Sequence, residues 1–192
     1  MASMSEHPSE LFESQGDFEA WLEENHATSR EIWVKLAKKA SGVKSISRAE
    51  ALESALCYGW IDGKASAFDD VFWLQRFTPR RPKSTWSMIN CEKVTDLAAE
   101  GRMRMAGLKA VESAKQDGRW DGAYASPRNM TVPDDFQKKL EENPPAQAFF
   151  DELDSRNRFA ILYRIQNAKK NETRVRRIES FITMLNERKK IY

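Results

Sequence analysis

Cysteine and histidine are both scarce in this chain of 192 residues, which contains two of each. Cys57 and Cys91 do not form a CxxC pair, and a chain of this length needs no disulfide framework. We therefore expect reduced thiols and a cytoplasmic location. So few histidines and well-separated cysteines provide no zinc-binding spacing, and we expect no metal site.

Long apolar runs and nucleotide-binding motifs are missing as well. No stretch approaches the roughly 18 apolar residues that a membrane-spanning helix needs. The N-terminal residues MASMSEHPSE lack the basic and apolar regions of a signal peptide. The segment GWIDGK at 59–64 does not have the spacing of a phosphate-binding loop. We expect no cofactor.

The charge that is present is unevenly distributed. The chain has an ordinary globular composition and a formal net charge of +2. Residues 156–192 contain eleven Lys and Arg against three Asp and Glu, a net of +8, so the remainder carries −6. This asymmetry indicates an anionic partner for one face, unless the basic residues only solvate the outer surfaces of helices.

The first half of the chain predicts an α+β core. Residues 31–37, 60–66 and 70–78 have strand-like patterns, which predict a small antiparallel sheet of about three strands. Helices are predicted at 17–25 and from Ser47, where Ser47 and Glu50 form a capping-box pattern.

From Ser84 onward the chain reads as helices. Ser84 or Thr85 is predicted to cap the next helix. The helix after it is predicted to be amphipathic, from Met105, Leu108, Val111, Glu112 and Lys115. Four further helices are predicted from Pro133 onward and form a C-terminal helical bundle. We expect a flexible lead-in (1–12), an α+β core (13–120), a connecting loop (121–132) and a helical subdomain (133–192).

A run of cations precedes the helix predicted near Ser84. No Asp or Glu occurs between Val71 and Cys91 to neutralise it. Helix N-termini and Arg side chains both favour anions, so the pattern predicts an anion site that comprises Arg80, Arg81, Lys83, Ser84, Thr85 and Ser87. The alternative is that Arg80 and Arg81 form structural pairs with Asp62, Asp69 or Asp121.

Three tryptophans are candidates for the walls of such a site. Trp60, Trp86 and Trp120 lie close to charged residues in the sequence, as aromatic residues of ligand pockets often do. Aromatic residues at strand and helix spacing more often fill a core, and this alternative stays open.

Catalytic candidates are weaker. Asp62 could act as an acid or base while arginines clamp a small anionic metabolite, and Cys57 could act as a nucleophile with His26. Alternatively, His26 caps a helix and Cys57 is a buried thiol. We do not take an enzyme as the first interpretation.

The basic residues near the C-terminus suggest an interaction surface. They are Arg164, Lys169, Lys170, Arg174, Arg176 and Arg177. A protein partner would suit this surface, whereas nucleic acid is not favoured because no recognised nucleic-acid motif accompanies it.

Four blocks of sequence resemble a known family. They are ALCYGWIDGK (55–64), FTPRRPKSTWSMIN (77–90), GRMRMAGLKAVESAKQDGRWDGAY (101–124) and NAKKNETRVRRI (167–178). Together they resemble the YdeI/OmpD-associated, or bacteriocin-protection, family over roughly residues 10–188. The resemblance implies a link with stress or antimicrobial resistance and supplies no reaction or catalytic residue. From the run of cations at residues 80–83, we expect a protein that binds a small anion.

Overall fold

The computed structural model describes residues 8–126 and 129–192, which form two compact units. The N-terminal unit extends to Ala123, and the C-terminal unit runs from Tyr124 to Tyr192. Residues 1–7 of the predicted lead-in and residues 127–128 of the predicted loop lie outside the described residues. No helix in the described part of the chain is long and apolar enough to cross a membrane.

The N-terminal unit contains a sheet with the strand order β1-β2-β4-β3. The strands are β1 (Ser9–Leu11), β2 (Ile32–Ala37), β3 (Trp60–Ala67) and β4 (Phe72–Pro79). Strand β4 is antiparallel to both of its neighbours, β2 and β3. The α+β class and the three strands predicted from the sequence are confirmed, each strand within two residues of its predicted ends.

The sheet has a fourth strand, which makes it mixed rather than wholly antiparallel. Strand β1 pairs in parallel with β2, with Ser9 opposite Trp33. The flexible lead-in predicted through residue 12 is therefore wrong for Ser9–Leu11. The side chain of Phe12 is 7% exposed and its ring lies 5.0 Å from that of Phe18, so burial of this aromatic residue holds the segment against the sheet.

Four helices complete the described part of this unit. They are α1 (Gln15–Asn25), α2 (Arg48–Cys57), α3 (Met88–Ala99) and α4 (Met105–Gln116). Ser47 and Glu50 form the predicted capping box at the start of α2. The core between the helices and the sheet is rich in aromatic residues, including Phe18, Trp60 and Phe77.

Helix α3 begins two or three residues later than predicted, because its cap is Ser87 rather than Ser84 or Thr85. Its N-cap is Ser87, whose hydroxyl oxygen accepts a hydrogen bond from the backbone N–H of Asn90 at 3.2 Å. The backbone N–H of Ser84 instead closes a turn by donating to the carbonyl of Arg81. Thr85 and Trp86 precede helix α3, because the side chain of Trp86 is buried in the core and only 2% exposed.

Helix α4 forms where it was predicted, but of its three predicted apolar residues only Val111 is buried. Met105 and Leu108 are 80% and 43% exposed, and the buried residues are Gly107, Val111 and Ala114. A Cβ atom at Gly107 would lie 2.2 Å from the carbonyl oxygen of Cys57. This backbone contact sets the rotation of α4, because only glycine permits so close an approach.

The C-terminal unit is built from four helices within the described residues. They are α5 (Asp134–Glu141), α6 (Pro144–Glu152), α7 (Ser155–Gln166) and α8 (Asn171–Asn186). Their apolar faces form a core that includes Phe136, Phe150 and Leu185. The sequence predicts α8 from an apolar stripe that comprises Val175, Ile178, Phe181, Ile182 and Leu185. All of these are buried except Val175, which is 46% exposed.

Candidate functional site

A cleft of about 410 Å³ opens in the N-terminal unit. Its lining comes from segments far apart in the sequence. The end of α1 supplies His26 and Ala27, and the turn from α2 into β3 supplies residues 58–60. The segment that follows β4 supplies residues 80–82, and one face of α4 and Arg119 complete the lining.

Helix α4 presents a regular stripe to this cleft. Ala106, Lys109, Ala110 and Ser113 are spaced i, i+3, i+4 and i+7, so they share one side of the helix. Gly59 has a φ of +74°, and a Cβ atom there would lie 2.9 Å from the carbonyl oxygen of Ala106. The close contact between this glycine turn and α4 therefore defines one end of the cleft.

Arg80 is held in place by backbone and aromatic contacts. Its backbone N–H donates to the carbonyl of Gly59 at 2.9 Å. Its guanidinium lies over the Trp86 ring, 3.6 Å from the centroid, and donates to the carbonyl of Thr85. The Trp120 ring packs on that of Trp86 with centroids 5.1 Å apart. The two tryptophans belong to the core and support Arg80 from within it.

Arg119 links the turn at residues 81–84 to α4. Its guanidinium donates to both carboxylate oxygens of Asp117 at 2.8 Å, to the carbonyl of Ser84 and to the hydroxyl of Ser113. These contacts fix its orientation, and Asp117 offsets part of its charge.

The charged side chains that line the cleft are all cationic. They are Arg80, Arg81, Lys109 and Arg119, and no Asp or Glu lines the cleft among the residues the structure describes. Arg81 and Lys109 are exposed, and neither forms an ion pair with any described carboxylate. These two side chains are therefore the ones whose charge is available to a ligand.

His26 and Tyr58 form the aromatic edge of the cleft, with ring centroids 5.3 Å apart. The Nδ1 atom of His26 lies 2.8 Å from the carbonyl oxygen of Leu22, so Nδ1 donates and Nε2 accepts when the ring is neutral. Tyr58 donates its hydroxyl to Glu23 at 2.7 Å. Burial raises the pKa of Tyr58, so this residue stays a neutral phenol.

The structure brings together part of the anion site predicted from the sequence. Arg80, Arg81 and Trp60 line the cleft together with His26. The other predicted residues, Lys83, Ser84, Thr85, Ser87, Trp86 and Trp120, do not line it. The helix N-terminus expected beside Arg81 is absent there, because α3 begins at Met88.

The catalytic candidates Asp62 and Cys57 lie away from this cleft. Asp62 forms an ion pair with Arg48 and does not line the cleft with Arg80 and Arg81. Cys57 is buried, and burial raises the pKa of its thiol to about 11. A thiol with such a pKa is almost wholly protonated at neutral pH and is a poor nucleophile.

Sequence reasoning missed Lys109, Ser113, Arg119 and Tyr58. Helical spacing places Lys109 and Ser113 on one face with two alanines, and that small-residue stripe was the available signal. Arg119 lies in the block at 101–124 that carries the family resemblance, yet nothing in its local sequence indicates a contact with Ser84, 35 residues away.

The basic surface of the C-terminal unit is partly committed to internal contacts. Arg174 forms a two-pronged pair with Asp135 through bonds of 2.6 and 2.8 Å. Arg177 donates to the carbonyl of Arg164. Four basic side chains, Arg164, Lys169, Lys170 and Arg176, stay exposed.

Comparison with family models assigns both units. Residues 10–110, 101 of the 192 residues, match the family described as Domain of unknown function (DUF8412). Residues 129–188 match the family described as Bacteriocin-protection, YdeI or OmpD-Associated. The chain belongs to the DUF8412 family, and residues 129–188 of its C-terminal unit match the YdeI/OmpD-associated family. The resemblance inferred from the sequence is confirmed over residues 129–188.

The two matches fall on the two compact units. The DUF8412 match lies wholly within the N-terminal unit, which also contains the cleft. Three of the four blocks that suggested the YdeI/OmpD-associated family lie in the N-terminal unit or extend one residue past it, and only the last lies in the matching C-terminal domain. No curated protein and no solved structure matches the chain.

Proposed function

We propose that the N-terminal unit of this protein, which contains the DUF8412 match, binds a small anion. The ligand would lie in the cleft between the β3–β4 end of the sheet and α4. One observation carries the proposal: four cationic side chains line the cleft, with no carboxylate among its described lining residues. A concave surface with charge of one sign concentrates counter-ions and strengthens their binding. Arg81 and Lys109 would contact the ligand, while Arg80 and Arg119 would shape the wall.

The roles differ because the four cations differ in their partners. Arg80 and Arg119 already donate to backbone carbonyls, and Arg119 also pairs with Asp117. Arg81 and Lys109 carry no such ion pair among the described residues. An incoming phosphate or carboxylate would therefore gain new charge-assisted hydrogen bonds chiefly from Arg81 and Lys109.

A thermal-shift screen tests this proposal. Inorganic phosphate, phosphorylated metabolites, small carboxylates and a cationic peptide would be added to the wild type, Arg81→Ala and Lys83→Ala. Lys83 is the matched control, because it is an exposed cation two residues from Arg81 that does not line the cleft. A ligand of the native state raises the melting temperature.

We expect anions, and not the cationic peptide, to stabilise the wild type and Lys83→Ala. Arg81→Ala should bind about tenfold more weakly, because it loses a charge-assisted hydrogen bond. Equal shifts in both variants would overturn the placement of the site, and no shift with any anion would overturn the proposed function. A link with stress or antimicrobial resistance stays a prediction based on the description of the C-terminal domain.

A further inference from the structure

The cleft has a second chemical character beside its charge. Much of its lining is small and apolar, with Ala27, Pro79, Pro82, Ala106 and Ala110 distributed over three segments of the chain. Apolar walls contribute binding free energy only when they displace water onto an apolar surface of a ligand. A site built solely for a hydrated inorganic ion gains nothing from such walls.

The volume of the cleft supports the same conclusion. A space of about 410 Å³ holds roughly a dozen waters at about 30 Å³ each, and it lies within the range of small-molecule sites. A phosphate ion at Arg81 and Lys109 would leave most of this space filled with water. A compact organic group would fill it.

The shape of α4 keeps this space open. The residues of α4 that face the cleft are two alanines, one serine and one lysine, and the contact of Gly59 with the Ala106 carbonyl closes one end. The two alanines stop at Cβ, so the cation at Lys109 stands beside an uncharged wall.

We propose that the ligand of this cleft is an amphiphilic anion: a phosphate or carboxylate head for Arg81 and Lys109, attached to a compact apolar body that packs on Ala106, Ala110 and the proline segment. This inference rests on the proposed anion-binding function and adds the class of ligand. The ligand is a single small molecule, because the cleft has the volume of a small-molecule site.

Isothermal titration of four probes tests the inference on the wild-type protein. The probes are inorganic phosphate, phenyl phosphate, benzoate and the neutral compound phenol. We expect phenyl phosphate to bind at least about tenfold more tightly than inorganic phosphate, because burial of the ring adds apolar contact. Benzoate should bind as well, and phenol should bind more weakly than phenyl phosphate.

The outcomes separate the two proposals. Equal affinity for inorganic phosphate and phenyl phosphate would agree with the proposed anion binding but would overturn the proposal that the ligand is amphiphilic. Failure of all three anions to bind would overturn the proposed function itself. Phenol binding as tightly as phenyl phosphate would show that charge plays no part, and would also overturn both proposals.

A pair of variants locates the apolar body. Ala110→Leu should weaken phenyl phosphate about tenfold and leave inorganic phosphate within about twofold, because the larger side chain fills the space for the ring. Ala98→Leu, at an exposed position of α3, is the control. If folded Ala110→Leu binds phenyl phosphate as tightly as the wild type does, the placement of the apolar body beside Ala110 is overturned. If this variant fails to fold, the titration of the four probes on the wild-type protein still tests the class of ligand.

Discussion

Long-range contacts have different structural roles in the two units of this chain. In the N-terminal unit, contacts between distant segments shape a concave surface: Gly59 meets Ala106, and Arg119 reaches Ser84. In the C-terminal unit, distant contacts close the helices onto one another, as in the pair Asp135–Arg174. One unit therefore exposes several cations in a cleft, whereas the other uses part of its cationic surface for its own stability.

The position of the tryptophans allows the units to be studied separately. All six tryptophans of the chain, at positions 21, 33, 60, 73, 86 and 120, lie in the N-terminal unit. Tryptophan fluorescence thus reports the unfolding of that unit, and peptide-resolved hydrogen exchange can report the helices of the other.

The largest expected effect is at Gly107. A methyl group in Gly107→Ala would lie 2.2 Å from the Cys57 carbonyl oxygen, so α4 must move, and we expect a loss of about 3 kcal/mol in the unfolding free energy of the N-terminal unit. Urea unfolding followed by tryptophan fluorescence measures it. Gly16→Ala in α1, with its nearest atom at 3.8 Å, is the control and should be neutral or stabilising by up to about 1 kcal/mol.

The second effect should be confined to the C-terminal unit. The side-chain oxygen of Asn157, a residue only 2% exposed, accepts from the backbone N–H groups of Ile191 and Tyr192 at 3.0 Å. Asn157→Ala should cost about 1–2 kcal/mol, because two backbone N–H groups near the C-terminus lose their acceptor. Exchange should accelerate in α7 and α8, with Asn167→Ala, at an exposed position, as the control. A matching fall in the tryptophan-monitored transition would show that the units do not unfold independently.

The smallest effect concerns acid stability. Hydrogen bonds from the Arg174 guanidinium hold the pKa of Asp135 below its ordinary value. A lowered pKa stabilises the folded state above the unfolded pKa of about 3.9, and this contribution disappears as the pH falls through the folded value. The Asp135 side chain is 47% exposed, so solvent screening limits the contribution to roughly 0.5–1 kcal/mol.

Hydrogen exchange of α5 and α8 between about pH 6 and about pH 3 measures this contribution. The loss of protection in acid should be smaller in Asp135→Asn than in the wild type, because the variant has already lost the ionised pair. Parallel pH profiles would contradict a stabilising role for Asp135. Asp154, whose pKa is lowered by hydrogen bonds from Asn157, affects both proteins equally and cancels in the comparison.

The predictions from the sequence succeeded where structure is local. The apolar stripe of α8 and the capping box of α2 depend on residues three or four positions apart, and both were predicted. The exposure of Met105 and Leu108 in α4 could not be predicted, because the rotation of this helix depends on a backbone contact between Gly107 and Cys57. Strand β1 was missed because its three residues carry no apolar alternation, and pairing with β2 decides their conformation.

The candidate site also divides into residues that local sequence could predict and residues that depend on long-range contacts. Arg80 and Arg81 were foreseeable, because an uncompensated run of cations is visible in the sequence. Lys109 was not, since its place in the cleft follows from the rotation of α4, and that rotation depends on Gly107. The predicted helix start at Ser84 failed because burial of Trp86 competes with it and prevails.

The strand order has a consequence for synthesis of the protein on the ribosome. Strand β4 lies between β2 and β3 and pairs with both, and in the described part of the chain β3 pairs with β4 alone. Until synthesis has reached Phe72, β2 can pair only with the three-residue β1 among the described strands. Strand β3 then has no partner among them. Unpaired strand edges in emerging chains invite association with other polypeptides. The interval before β4 leaves the exit tunnel is therefore when the strand edges of this sheet are most open to such association.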